Sequence, residues 1–386
     1  ILEQAGIPVA CVAADAENMD NEQTAERVFA LKPDVLGLSA TTLSVYNAID
    51  IMRRAKARHQ ELISIAGGAH ATIFPDEMLN AGFDFVVRGE GEITIKELES
   101  CLTKKGNLRS VKGLSFRCDG EIVHNEDRPL IKDLDSLPFP AWHHFPLHLY
   151  RSDLKKEDHC LPIITSRGCP GQCVFCYKGL FGNAFRTRSA VSIIQEIKYL
   201  AAQFKANEFA FIDDSFTSNL KRAKDVCNLL LSENILLPWS LPSGIRIDAV
   251  DEELMTLLKN AGCYRIGFGV ESGNDEILKR IKKNTTKAAI RRAVQMAKRN
   301  NLQVQCYFML GNLDETSETI RETIRFAIEL NPDIAQFTIA TPLPGSAMFE
   351  TLRQENRLLS RDWTEVNCLK ARVPGGKQPK LAPACL

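Results

Sequence analysis

The sequence lacks a charge excess: 48 Lys and Arg balance 48 Asp and Glu over 386 residues. No basic field exists to hold nucleic acid non-specifically, so no nucleic-acid partner is expected. No apolar run approaches the roughly 20 residues of a membrane span, and none is expected. No charged-then-apolar leader opens the chain, so secretion is not indicated and a cytoplasmic location is expected. The chain also opens without Met. Ile1 to Gly6 reads as the last turns of a helix with a Gly stop, and the first strand is expected to be missing ahead of it. With 45% hydrophobic and 25% charged residues, disorder of the whole chain is excluded. The length suffices for two domains.

What is present first is an alternation. Pro8–Ala13 reads as a short apolar strand, Thr24–Leu31 as a helix and Asp34–Ser39 as a buried strand. Tyr46–Arg58 reads as an amphipathic helix, Leu62–Ala66 as a strand and Glu77–Ala81 as a short helix. Phe83–Val87 reads as a strand and Glu92–Lys104 as a helix. Strands alternating with helices at this spacing imply a Rossmann-like, doubly wound parallel sheet over residues 1–125. Ligands of such sheets lie at the carboxyl ends of the strands. Those ends carry Ser39 and Thr41, then Gly67 and Gly68, then Gly89 and Glu90. Small residues there admit a ligand close to the backbone, and helix N-termini favour phosphate. Each could equally be a tight strand-to-helix turn. No Gly-x-Gly-x-x-Gly fingerprint follows the first strand, so a nicotinamide dinucleotide is not favoured.

Ser110–Arg117 and Glu121–His124 suggest a hairpin around Asp119-Gly120. Residues 126–160 are proline-rich and aromatic in part, and suit an extended linker. His143, His144 and His148 lie there without helical spacing, so a surface or packing role is expected rather than a metal site. From Leu161 to residue 350 six strand–helix units follow, with strands at Leu161–Thr165, Glu208–Ile212, Trp239–Ile245, Tyr264–Val270, Gln303–Leu310 and Ile334–Ala340. Six in a row suggest a partial (β/α)6 TIM-type barrel whose chemistry sits at the strands' carboxyl ends. Residues 351–386 read as a truncated or coil tail, rich in Pro, Gly and Lys beyond Leu369.

Twelve cysteines are present. Most, such as Cys227 and Cys306, sit alone in apolar stretches and read as small buried hydrophobes. A disulfide framework is not expected in a chain this long without a leader. Cys169, Cys173 and Cys176 differ. They follow the first barrel strand with Cys-x3-Cys-x2-Cys spacing, on a loop that Gly168, Pro170 and Gly171 let wrap tightly. Structural zinc wants four ligands and a closed site. A four-iron cluster held by three cysteines keeps one iron open for an exogenous ligand.

Phe175 directly precedes Cys176, and Cys-x3-Cys-x-Phe-Cys on this loop resembles the radical SAM (S-adenosylmethionine) superfamily. Phe211–Thr217, Gly267–Asn274, Phe308–Asn312 and Thr341–Ser346 are similar to its second-, fourth-, fifth- and sixth-strand motifs. With a Rossmann-like domain in front, the chain resembles the cobalamin-binding branch over roughly residues 1–350. That branch includes methyltransferases and the anaerobic oxidative cyclase of chlorophyll synthesis.

The resemblance implies three cofactors: a [4Fe-4S] cluster on Cys169, Cys173 and Cys176, SAM on its open iron, and cobalamin on the first domain. For SAM it implies Phe175 at the adenine, Asp213 and Asp214 at the amino group, and Glu271 and Ser272 at ribose or methionine groups. Arg246 would face the SAM carboxylate, and Gly311 would let the fifth strand pass the adenine. For cobalamin it implies Ser39, Thr41, Gly67, Gly68, Gly89 and Glu90. Asp213 could instead cap a helix, and Arg246 could be a structural ion pair. Reductive cleavage of SAM would yield a 5′-deoxyadenosyl radical, with methylcobalamin supplying a methyl group to the substrate in the methyltransferases. Expected partners are a small-molecule substrate and a reductant such as flavodoxin or ferredoxin. No residue is assigned as catalytic in its own right.

The Asp-x-His-x-x-Gly loop of mutase-type cobalamin domains is absent, and His70, after the Gly pair, is a weak candidate for a cobalt ligand. A cobalamin-dependent C-methyltransferase is the leading expectation. A radical SAM cyclase, oxidation or rearrangement enzyme is the alternative. A non-catalytic iron–sulfur carrier and a zinc-stabilised binding module are readings from other classes. A methylthiotransferase would need three further clustered cysteines, and Cys11, Cys101 and Cys118 are too scattered.

Overall fold

The structure is a computed structural model that describes residues 1–150, 154–358, 362 and 363. The chain opens with a single 3-10 turn, Glu3–Ala5, stopped at Gly6 in the left-handed region. Pro8–Ala13 forms no strand. A strand needs a neighbour for its N–H and C=O groups, and none of the described strands pairs with this stretch. Pro8 also lacks an N–H.

Asp20 starts α1 (Asn21–Leu31) earlier than its apolar period suggests. Its carboxylate accepts the Gln23 N–H at 2.8 Å, and the Gln23 side chain accepts the Asp20 N–H at 3.0 Å. Then follow β1 (Val35–Ser39), α2 (Val45–Arg58), β2 (Ile63–Gly67), α3 (Gly68–Ile73), α4 (Pro75–Ala81), β3 (Phe85–Val87) and α5 (Gly91–Lys104). The hairpin β4 (Leu114–Cys118) and β5 (Glu121–His124) adds antiparallel to β3. The sheet order is β1-β2-β3-β4-β5, parallel only across its first three strands. Its register sets Ser39 opposite Gly67, so the two strand ends finish level. Helix α3 has no counterpart in the sequence pattern; it begins directly at the Gly pair.

Residues 126–150 hold three short 3-10 turns and no longer element. The second sheet starts with β6 (Cys160–Ile163). The two-residue strands β7 (Ser166–Arg167) and β8 (Arg186–Thr187) pair antiparallel and close the cysteine loop between them. The chain continues through α6 (Ala190–Phe204), β9 (Glu208–Phe211), α7 (Leu220–Ser232), β10 (Trp239–Ile245), α8 (Glu252–Asn260) and β11 (Cys263–Glu271). It ends with α9 (Asp275–Arg280), α10 (Lys287–Arg299), β12 (Gln303–Leu310), α11 (Ser317–Leu330), β13 (Ile334–Ile339) and α12 (Ala347–Gln354). The order β13-β12-β11-β10-β9-β6 is parallel throughout, and the two outer strands do not join. This is a partial barrel.

Strand β6 stops before Thr165 because the Thr165 N–H leaves the ladder for the Asp213 carboxylate, at 2.5 Å. Helix α12 crosses the expected boundary at 350. Ser346 caps it through the Phe349 N–H at 3.1 Å, and Met348, Phe349 and Leu352 are buried. The coil expected beyond Leu369 lies outside the described residues.

The barrel core centres on Trp239, which stacks on Phe209 at 5.8 Å and packs against Phe211 at 5.0 Å. Its indole N–H donates to the Ala261 carbonyl at 2.7 Å, so the large apolar ring is buried without an orphaned donor. Cys227, Cys263 and Cys306 are buried in this layer, and burial pushes the Cys227 and Cys306 thiols up to about 12. Cys11 departs from the buried expectation: it is exposed, in the stretch that forms no strand. Cys101, Cys118 and Cys160 are half-buried, and Cys368 and Cys385 lie outside the described residues. No described helix is long and apolar enough to cross a membrane.

Candidate active site

The cysteine loop leaves the barrel where β6 and β9 end. Asp213, 3% exposed, accepts from the Thr165 N–H, the Thr165 hydroxyl and the Ser166 hydroxyl, the last at 2.7 Å. Burial pushes its carboxyl up, against those bonds and the nearby Arg222. Asp214 is exposed, and its Oδ2 accepts the Gly168 N–H at 3.0 Å. The two acids thus hold neighbouring residues at the root of the loop. Gly168 has φ +82°, and a Cβ there would sit 2.5 Å from the Ala184 carbonyl, so only glycine fits.

Further along, the Val174 N–H donates to Ile281 O at 3.1 Å, and Met348 N–H donates to Val174 O at 2.8 Å. The loop is therefore pinned to the end of α9 and to the start of α12. Lys178 Nζ donates to Cys169 O at 3.3 Å. Phe175 packs beside Met309, Ala340 and Met348 at the barrel's mouth.

The three sulfurs do not converge within 4.8 Å of one another, as the ligand atoms of a single-ion site do. Three thiolates on one loop would each be able to take a separate iron of a cluster. Burial raises the Cys173 and Cys176 thiols, and Lys283 opposes the rise at Cys173. Among the described residues, the group whose ligand atoms do lie within 4.8 Å is Glu3, His143 and His144. There both imidazole Nε2 atoms meet one Glu3 oxygen, at 2.9 and 3.0 Å, and burial is slight.

The remaining SAM candidates divide. Arg246 lies against the loop: a Cβ on Gly171 would be 2.7 Å from its Nη1. Its Nε is paired with Asp248 at 2.9 Å. Glu271 ends β11 at φ +65° and is paired with Lys283 at 2.7 Å. Ser272 is buried, and its hydroxyl lies 3.2 Å from that of Thr323 on α11. Gly311 turns the chain at φ +83°, with its N–H donated to Glu315 at 2.6 Å. Sequence reasoning misses Lys283 and Glu315. Lys283 stands 12 residues from the acid it serves, and Glu315 has the sequence setting of an ordinary loop carboxylate.

A cavity of about 600 Å³ lies where the first sheet's strand ends face the neck of the cysteine loop. Ser39, Gly67, Gly68, Gly89 and Glu90 line it from one side, and Arg167, Leu180 and Phe181 from the other. Thr41 is not among its walls; its hydroxyl lies 3.0 Å from that of Ser44. A Cβ on Gly68 would stand 2.8 Å from Ala40 O, and its φ is +89°, so packing and backbone both require that glycine. His70 is fully buried away from the cavity, 3.2 Å from the Thr42 hydroxyl and enclosed by Phe74 and Trp363. It does not reach a ligand in the cavity.

Residues 163–327 match the model of the radical SAM superfamily, and residues 1–99 match that of the B12 binding domain. An uncharacterized methyltransferase of Pyrococcus horikoshii is 36% identical over 354 residues, covering 90% of this chain and 75% of the relative. The anaerobic magnesium-protoporphyrin IX monomethyl ester cyclase of Rubrivivax gelatinosus is 29% identical, covering 88% of this chain but 62% of the relative. In fold, the chain is similar to the radical SAM methyltransferase TsrM of Kitasatospora setae. The TM-score is 0.75 at 18% identity, over 92% of this chain and 70% of that one. The chain belongs to the radical SAM superfamily, in the branch that carries a B12-binding domain. It is a radical SAM enzyme, and its cofactors are a [4Fe-4S] cluster, SAM and cobalamin.

Proposed function

We propose that this chain is a cobalamin-dependent radical SAM methyltransferase acting on an unactivated carbon of a small-molecule substrate. One observation carries the reading: a single cavity is walled by the strand ends of the first sheet and by the neck of the cysteine loop. Methyl transfer needs cobalamin to face the reaction centre, and a shared cavity permits that. When bound, the cofactors supply one-electron cleavage of SAM and the methyl group.

The chain's own residues hold and shield. Cys169, Cys173 and Cys176 present three thiolates, and Asp213 and Asp214 set where that loop leaves the barrel. In this reading Asp214 and Arg246 meet the polar end of SAM, and Phe175 and Gly311 meet its adenine. Ser39, Gly67 and Gly89 line the cobalamin side, where the two small glycines let the ligand approach the backbone. A small one-electron protein such as flavodoxin or ferredoxin is the proposed reductant.

The test has two readouts on anaerobically reconstituted protein. The EPR signal of the reduced cluster should change when SAM is added. Label from methyl-labelled SAM should then appear in product once a substrate is found. A cluster signal indifferent to SAM overturns the enzyme reading in favour of an electron carrier. A product without label favours an oxidation or a cyclase reaction, and the Rubrivivax relative is named a cyclase.

A further inference from the structure

Glu90 follows the β3 strand of the first sheet, at a position where the family resemblance implies a cobalamin contact. Its side chain is 2% exposed and already fully engaged. Oε1 accepts from Arg167 Nη1 at 2.7 Å and from Arg186 Nη1 at 2.9 Å. Oε2 accepts from Arg186 Nη1 at 3.0 Å and from the Ile131 N–H at 2.7 Å. The two arginines are directly opposed in the β7–β8 ribbon, one on each side of the cysteine loop's neck. Arg167 is two residues before Cys169. It also donates to Glu92 at 2.5 Å, and its guanidinium lies over the Phe181 ring at 5.2 Å. Arg186 further donates to Ile131 O at 2.6 Å and Phe181 O at 2.9 Å.

Like charges directly opposed across two strands repel. This ribbon has only two residue pairs to resist the repulsion. The Glu90 carboxylate, with Glu92 beside Arg167, offsets it and ties both strands to α5. Burial alone would raise the Glu90 carboxyl, but Arg167, the Ile131 amide and Arg186 hold it below its ordinary value. The arginine pair thus favours its charged form.

We propose that Glu90 is a positioning residue that fixes the neck of the cysteine loop from the B12-binding domain, and not a contact to cobalamin. The cobalamin side of the molecule thereby sets the geometry in which the cluster meets SAM. The inference rests on the proposed function for its SAM readout, but not for its iron readout.

The test compares wild type, Glu90→Gln, Arg186→Gln and the double variant, all as full chains reconstituted anaerobically. Iron per chain, the EPR titration of the reduced cluster with SAM, and the cobalamin Kd from visible absorbance are measured on each. Glu90→Gln should weaken the SAM titration about tenfold, the usual size for lost outer-shell support. Its cobalamin Kd should change less than about twofold. The double variant should lose little more than Glu90→Gln alone, because both substitutions undo the same clamp. A Glu90→Gln protein that loses cobalamin while keeping its SAM titration overturns the proposal, as does one in which neither changes. If Glu90→Gln does not fold, Arg186→Gln alone decides: its SAM titration should weaken too, and an unchanged one overturns the clamp. If the wild-type signal ignores SAM, the proposed function fails instead. Iron retention then decides the clamp: lower in Glu90→Gln than in wild type supports it, and equal retention overturns it.

Discussion

Asp213 and Asp214 are adjacent at the end of β9, yet one is 3% exposed and the other is exposed. Asp213 spends its oxygens on Thr165 and Ser166. Replacing it with Asn puts an amide N–H₂ against those donors and leaves Arg222 without its nearby charge. Asp213→Asn should therefore destabilise the fold by about 3 kcal/mol, read by urea unfolding, and should lower iron retention. Asp214→Asn keeps an acceptor for the Gly168 N–H and should change stability by less than about 0.5 kcal/mol. Its loss should appear in the SAM titration instead. Equal unfolding midpoints for the two variants would reject this division. The pair was legible in the sequence as a strand-end carboxylate site, but the division within it was not. Side chains alternate across a strand, and which face points into the barrel is fixed only once β6 and β9 pair. The same limit applies to Glu90, where the sequence shows a strand-end acid and not the two arginines 77 and 96 residues away.

At the scale of elements, the alternation of strands and helices was legible because short continuous apolar runs stand apart from the 3.6-residue period of the helices. Strands β10 and β12 have the expected ends. Pro8–Ala13 has a strand's composition but no hydrogen-bonding neighbour, and composition cannot report a partner. Turns are harder still, since their hydrogen bonds are local and idiosyncratic. In the turn after β12, Glu315 is fully buried and accepts the Gly311 and Asn312 N–H groups at 2.6 and 3.0 Å. Burial pushes its carboxyl from 4.5 up to about 7. Below pH 4.5 the acid is protonated in both folded and unfolded chains. Between there and pH 7 the unfolded chain ionises while the folded one keeps its proton, so stability falls as pH rises, by roughly 3 kcal/mol in total. Glu315→Gln keeps an acceptor oxygen and cannot ionise. The difference in urea stability between wild type and variant should shift by that amount across this window, in the variant's favour at the higher pH. A difference that does not vary with pH would mean that Glu315 ionises as freely as in the unfolded chain. The turn at Gly168 is the other test: Gly168→Ala adds a Cβ 2.5 Å from Ala184 O at φ +82°. The backbone must move at the root of the cysteine loop, and iron per chain should fall below about half of wild type. Wild-type iron content in that variant would show that the loop tolerates the shift.

Across the whole molecule, two sheets face each other through one cavity, and the chain fastens them at more than one place. The Glu90 cluster is one fastening. The other is Trp363, which no sequence pattern marks, because a lone aromatic near the end of a chain has no period. Its ring is 7% exposed, stacks on Phe74 at 5.5 Å and meets His70 edge-on at 5.6 Å. Its indole N–H donates to Glu77 at 3.1 Å, and Phe349 of α12 lies 6.4 Å away. Trp363 therefore ties the segment after the barrel to α3 and α4 of the first sheet, while Phe349 brings α12 to the same cluster. Removing the ring opens a hole among His70, Phe74 and Phe349 and strips Glu77 of a donor. Trp363→Ala should cost about 3 kcal/mol. The loss should fall on the first sheet, since its helices form most of the cluster, and the barrel core around Trp239 should be untouched. Hydrogen exchange should therefore quicken in α3 and α4 while β9, β10 and β11 keep their protection. Uniform quickening through both sheets would mean that they unfold as one cooperative unit, and that the clamp stabilises the molecule as a whole.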